Sequence, residues 1–271
     1  MMRDVGRVLA ATLGYIVLQG LTGALLLRSL PPFQAPHLEA WAAFSALLIA
    51  AVMVVLGRHL ARGWARPAVL AAVACGLHEI NLLEAGFFAL AIPRPVLWLL
   101  VLSGLVNGVG LALIVHALAG AGAATGPRRA RAAGAWATRL LATDLGYVAT
   151  YFTAGVAIAP YVLPFYGDHV PPFGAIIAMQ VFRGLVLSGI VVLLAERCAG
   201  GRGRHALLSA LAWGVIGGVA PLLIPNPFMP DAVRFAHMVE VGISNPIWAA
   251  AAALLLSRAR STPAAALDRA A

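Results

Sequence analysis

Residues 173–195 read FGAIIAMQVFRGLVLSGIVVLLA, from Phe173 to Ala195, with one charge, Arg183, and one side-chain amide, Gln180. About 20 apolar residues in a helix cross the ~30 Å hydrocarbon core of a bilayer, so this stretch has spanning length. A strand of a membrane barrel would be about ten residues long with alternating polarity, and neither property holds here. The stretch therefore predicts a membrane-spanning helix with a guanidinium near the bilayer centre.

The same pattern recurs along the chain, at about 8–30, 40–57, 67–91, 96–119, 138–160, 205–224 and 232–257, each run bounded by charge or proline. With the first, these predict an all-α polytopic membrane protein of eight transmembrane helices. Composition agrees. Of 271 residues, 62% are apolar and 11% charged, where soluble domains sit near 45–50% and 25%. An ordinary soluble enzyme is excluded. Arg3 and Arg7 before Val8–Leu27 resemble the flank of a secretion signal. The apolar run is longer than the 7–15 residues of such a signal and no A-x-A site follows, so it reads as the first helix.

Arginine placement predicts the orientation. All 19 basic residues are arginine, against 10 acids, for a formal charge of +9. Arg3 and Arg7, Arg58, Arg62 and Arg66, Arg128, Arg129, Arg131 and Arg139, Arg197, Arg202 and Arg204, and Arg258, Arg260 and Arg269 all fall on one side. The other side holds Arg28, Arg94 and Arg234, partly offset by Glu39, Asp168 and Asp231. Both termini are thus expected in the cytoplasm, with the chain in the cytoplasmic (inner) membrane. The charge belongs beside anionic lipid heads, which makes the bilayer the partner and argues against nucleic acid. The outward connections carry proline: Pro31-Pro32, Pro93 and Pro95, Pro164 with Pro171-Pro172, and Pro225, Pro227 and Pro230. Cys75 and Cys198 form no CxxC pair and no disulfide framework.

The halves resemble each other. Gly14-Tyr15, Pro32-Phe33 and His37 recur 132 residues later as Gly146-Tyr147, Pro164-Phe165 and His169. Further on the offset is 138, with Arg66 and Gly76 matching Arg204 and Gly214, and Gly104 and Asn107 matching Gly242 and Asn245. A tandem duplication of a four-helix unit is expected: repeat 1 over 1–120, a basic cytoplasmic linker over 121–137, repeat 2 over 138–258 and a short tail over 259–271. An even number of helices per unit makes the repeats parallel, related by an axis along the membrane normal.

Ionisable groups inside the hydrocarbon mark candidate sites. The third helix offers His78, Asn81 and Glu84 at spacings of three, one winding stripe, with Glu79 about 100° from His78. The sixth offers Gln180 and Arg183, and a buried guanidinium demands a counter-charge, for which Glu79, Glu84 and Glu240 are the candidates. The eighth offers His237, Glu240 and Ser244 on one face, with Asn245 before Pro246, whose missing N–H leaves the Gly242 carbonyl without its usual partner. These ten residues are expected to line one asymmetric cavity between the third, sixth and eighth helices. Asp144, Tyr147 and Tyr151 read as the cytoplasmic start of the fifth helix, and Tyr161, Phe165, Tyr166 and Trp41 as an outer aromatic belt. Gly104-x-x-x-Gly108 and Gly214-x-x-x-Gly218 predict close helix packing.

Three functions compete at this level. The first is a transporter or permease-like carrier for a small polar or anionic solute, with Arg183 for charge and the histidines for protons. The second is an intramembrane metal- or haem-binding enzyme or redox protein using His78, Glu84, His237 and Glu240. The third is a non-catalytic membrane subunit. The sequence has no H-E-x-x-H, no G-x-S-x-G, no phosphate-binding glycine loop and no lysine. It leaves cofactor and oligomeric state open.

Overall fold

The computed structural model describes residues 2–30, 33–88, 92–120, 132–167 and 170–257. Pro31-Pro32, Asp168, His169, linker residues 121–131 with Arg128, Arg129 and Arg131, and the tail with Arg258, Arg260 and Arg269 lie outside them. Among the described residues, eight helices are long and apolar enough to cross a membrane. They are α1 (Met2–Leu26), α2 (Leu38–His59), α3 (Ala65–Phe87), α4 (Arg94–Leu118), α5 (Ala133–Tyr166), α6 (Phe173–Arg197), α7 (Arg202–Leu223) and α8 (Asp231–Leu256). The chain is an all-helical, multi-pass membrane protein.

Lipid inverts the usual helix pattern. On α1 the large apolar side chains Val5, Leu9, Leu13, Val17, Leu21 and Leu25 are exposed in a stripe, while Ala11, Thr12, Tyr15 and Thr22 face inward. Val239, Ile243 and Ile247 form the same outward stripe on α8. Small residues and hydroxyls let the helices approach, since lipid removes the hydrophobic drive for helix association. Ser45 donates to the Ala220 carbonyl at 2.7 Å and Thr22 to Asn107 at 3.1 Å.

Within the first half α1 packs on α2 and α4, and α4 on α2 and α3; within the second α5 packs on α6 and α8, and α8 on α6 and α7. Across the halves α3 meets α6 and α7, and α2 meets α7. The turns after α2 and α6 join by a two-bond antiparallel bridge at Leu60 and Cys198, residues 138 apart. Ala61 N–H donates to Arg197 at 3.0 Å and Ala199 N–H to His59 at 2.7 Å.

The arginines at this end close helix C-termini, whose last carbonyls lack partners. Arg66, fully buried, donates to Gly120 at 2.8 Å just beyond α4, and Arg139 donates to Leu255 of α8 at 2.7 Å. At the opposite end buried Arg234 does the same for α7, donating to Leu223 at 3.0 Å while pairing with Asp231.

Two helices depart from the sequence expectation. Helix α5 begins at Ala133 and runs 34 residues to Tyr166 through Pro160 and Pro164, where the run 138–160 and a turn at Pro164 were expected. The two prolines are four apart and remove backbone donors along one side only, so the helix continues past them. Helix α7 widens into a π-helical segment over Ala212–Val219. Pro221 has no N–H to give the Gly217 carbonyl four residues back, and the α-helical ladder cannot close there.

Candidate functional site

Helices α3, α5, α6, α7 and α8 enclose a cavity of about 330 Å³. Phe88, Tyr166, Val170 and Met229 put its mouth at the proline-rich end, and Tyr147, Trp248 and Arg183 floor it deeper in the bundle. Seven of the ten expected residues line it: Asn81, Glu84, Arg183, His237, Glu240, Ser244 and Asn245.

Arg183 organises one wall. Its guanidinium forms an ion pair with Glu84, and the two side chains are 5% and 19% exposed. It donates to Gln180 Oε1 at 2.9 Å and to Asn81 Oδ1 at 2.8 Å, and it lies 5.7 Å from the centre of the Tyr147 ring. Gln180, fully buried behind the cavity surface, returns a bond from Nε2 to Glu84 at 2.8 Å. Of the three candidate counter-charges, packing of α3 on α6 thus selects Glu84. Asn81 donates onward to the Gly217 carbonyl at 2.8 Å, and Asn245 donates to the same oxygen at 3.3 Å. That carbonyl is the one Pro221 deprives of its ordinary donor, so the π-helical segment gives the network an acceptor.

The opposite wall is a second chain of bonds. His237 Nδ1 lies 2.8 Å from Glu240 Oε2, one helical turn on, and His237 Nε2 lies 3.0 Å from the Tyr166 hydroxyl. A neutral imidazole protonated at Nδ1 satisfies both contacts, donating to the carboxylate and accepting from the phenol; the tautomer is assigned from this network. Among the described residues Glu240 Oε1 has no hydrogen-bond partner, although the side chain is only 8% exposed.

His78 and Glu79 fall elsewhere. A step of three residues turns about 300°, so the stripe drifts, and from Glu84 back to His78 it has moved about 120° around α3. His78 Nδ1 meets Glu79 Oε1 at 3.0 Å with the side chains 44% and 12% exposed. Both lie against α4, where a Cβ added to Gly104 would stand 2.1 Å from Glu79 Oε1 and 2.6 Å from His78 Nδ1. His78, Glu84, His237 and Glu240 accordingly do not gather, and among the described residues no group of three or more His, Cys, Asp or Glu is placed to hold a metal.

The aromatic wall was misjudged from sequence. Tyr147 is 4% exposed and Tyr151 lines the cavity, where both were expected at the cytoplasmic interface. The reason is the earlier start of α5, which moves both tyrosines into the membrane interior. Tyr166, expected in the outer belt, stands at the cavity mouth and bonds His237. The signal lay in the spacing of Tyr147, Tyr151, Ile158, Val162 and Tyr166, one face of a helix, all of which line the cavity. Asp144, one turn before Tyr147, is buried and packs on Gly184, whose added Cβ would stand 2.1 Å from Asp144 Oδ1. Comparison with protein-family models, with characterised proteins and with solved structures finds no match.

Proposed function

We propose that the protein is a carrier that binds a small polar solute in this cavity and moves it across the cytoplasmic (inner) membrane. One observation carries the reading: the charge-bearing side chains Glu84, Arg183, His237 and Glu240 border a cavity of about 330 Å³ inside the helix bundle. Charged groups at membrane depth are costly and face an interior cavity where they serve a ligand. An anionic solute would have to displace Glu84 from Arg183, so the polar branch of the expectation is the better supported. In this reading Asn81, Ser244 and Asn245 orient the solute, Gln180 holds the ion pair, and His78 and Glu79 act on the α4 side.

The rest of the proposal is architectural. The carrier has both termini in the cytoplasm, in keeping with the arginine-rich connections, and it is a tandem parallel duplication: 1–120 and 138–258 as repeats, 121–137 as linker and 259–271 as tail. Like pairing of the helices in both halves supports this, as does the bridge at Leu60 and Cys198, whose two bonds exchange under an offset of 138. An axis along the membrane normal would pass through that bridge, and solute sites of repeat-built carriers lie near the midplane.

Uptake into proteoliposomes tests the reading, with radiolabelled glycine, lactate, choline and phosphate supplied separately. The expected result is uptake of at least one solute above protein-free vesicles, lost in Glu240→Gln inserted at the same level. Vesicles that stay impermeable to all four would overturn the carrier and leave a non-catalytic membrane subunit.

A further inference from the structure

Resting on that reading, we infer that the solute is an organic cation, an alkylammonium with a small apolar body. The first ground is charge. Among the described residues the cavity lining holds two carboxylates, Glu84 and Glu240, against one guanidinium, Arg183, and one imidazole, His237. Arg183 is already engaged by Glu84, Gln180 and Asn81. His237 is fully used in its neutral form between Tyr166 and Glu240. With the imidazole counted as neutral the formal charge of this lining is negative, and Glu240 is the carboxylate without a guanidinium partner.

The second ground is an unpartnered group. Glu240 Oε1 faces the cavity without a hydrogen-bond donor while its side chain is 92% buried, taken from 8% exposure. That oxygen opens onto the cavity and not into packed protein, and a cation beside it there gains a charge-assisted contact. An anion there would be repelled.

The third ground is the surface around that oxygen. Phe88, Tyr151, Phe152 and Tyr166 line the same cavity as Glu240, Phe88 and Tyr166 at its mouth with ring centres 5.7 Å apart and Tyr151 and Phe152 deeper with ring centres 5.4 Å apart. Ring faces attract a desolvated ammonium through their quadrupole and accept its methyl groups by ordinary packing. A carboxylate to set the charge and aromatic rings to hold the alkyl groups select an ammonium over a metal ion, which would demand several oxygen or nitrogen ligands. The ammonium could come from a free solute or from a lipid headgroup.

Binding by equilibrium dialysis of the full chain in nanodiscs tests the inference, using choline, its neutral isostere 3,3-dimethylbutan-1-ol, and acetate. In phosphatidylglycerol discs choline should bind at least about ten-fold tighter than the isostere, the scale of one desolvated cation–π and carboxylate contact. The ratio should fall towards one in Glu240→Gln, and Tyr151→Leu should weaken choline several-fold. If Glu240→Gln does not fold, the wild-type ratio and Tyr151→Leu still decide. Adding phosphatidylethanolamine separates the sources, because a headgroup ligand would compete with choline and a free solute would not; either result keeps the ammonium chemistry. Equal binding of choline and isostere, or preferred binding of acetate, would overturn the cation while leaving a solute cavity. Folded protein that binds none of the three would overturn both readings.

Discussion

The α3–α4 and α7–α8 interfaces hold the same places in the helix order of the two halves, but among the described residues α4 contributes none to the cavity lining, whereas α7 and α8 both do. In the first the G-x-x-x-G pair is on α4, and Gly86 of α3 also admits Leu97 of α4. Gly108 admits Cys75, whose backbone nitrogen would lie 3.2 Å from an added Cβ, and Gly104 admits His78 and Glu79. In the second the G-x-x-x-G pair is on α7, and Gly242 of α8 also admits Val219 of α7. An added Cβ at Gly218 would lie 3.3 Å from the Val241 carbonyl oxygen and 3.2 Å from that of Trp213, and one at Gly214 would lie 3.3 Å from the Pro246 ring. Both G-x-x-x-G pairs therefore serve close packing, on opposite partners of like interfaces. Only α7 also has Pro221, which frees the Gly217 carbonyl for Asn81 and Asn245. Counted by the offset of 138, Arg183 falls at Ser45, His237 at Leu99 and Glu240 at Leu102. One pairing scheme can thus stand away from the cavity or wall it, depending on which helix carries the G-x-x-x-G pair and whether a proline leaves an acceptor open.

The sharpest way to break that comparison is at Arg183 and its counterpart. Arg183→Met leaves the Glu84 carboxylate with only the Gln180 amide, and losing one member of a buried pair costs about 3–5 kcal/mol. Ser45→Ala removes a single bond to a carbonyl, costing about 1 kcal/mol. Reversible unfolding in mixed micelles should rank them in that order, and Arg183→Met with Glu84→Gln should recover most of the larger loss. Equal losses at the two positions would mean that the ion pair is no more integral to the second half than a hydroxyl is to the first.

The glycines give the next effect. Gly218→Val places atoms against two backbone carbonyls that cannot rotate away, and overpacking of this kind costs about 1–3 kcal/mol. Gly146→Val, where an added Cβ meets nothing within 4 Å, should stay within about 0.5 kcal/mol. A Gly218→Val protein as stable as Gly146→Val would remove the close approach of α7 and α8 from the account.

The spans were legible because charge and proline bound each apolar run, and α6 was read almost to its ends. The interior was legible in types more than in partners. Depth alone allowed Glu79, Glu84 or Glu240 opposite Arg183, and only the packing of α3 on α6 discriminates. His78 was placed with Asn81 and Glu84 because a spacing of three looks like a stripe over six residues, yet its drift around the helix carries His78 to another face. Tyr147 and Tyr151 were misplaced through one boundary, the start of α5, which hydropathy cannot fix in an alanine- and glycine-rich approach. The π-helical segment had a signal in Pro221 four residues after Gly217, but in a helix already full of glycine a proline near the end reads as a stop.

The smallest effect is the one that separates cause from coincidence at Gly217. A side-chain bond between membrane helices is worth about 0.6 kcal/mol; Asn107→Ala should cost roughly that, and Asn81→Ala more, because it also removes the acceptor of a bond from the buried Arg183 guanidinium. Asn81 donates to the carbonyl that Pro221 leaves open, whereas Asn107 bonds Ser103 and accepts from Thr22, with no proline involved. Pro221→Ala supplies an N–H that can reach Gly217 and close the α-helical ladder. In that background the loss from Asn81→Ala should shrink by about 0.6 kcal/mol, the share owed to the Gly217 bond, while the cost at Arg183 stays, and the loss from Asn107→Ala should be unchanged. A double-mutant cycle measures the difference directly. If Asn81 and Pro221 are uncoupled, the open carbonyl is a property of the glycines, and the asymmetry between the halves does not originate in the proline.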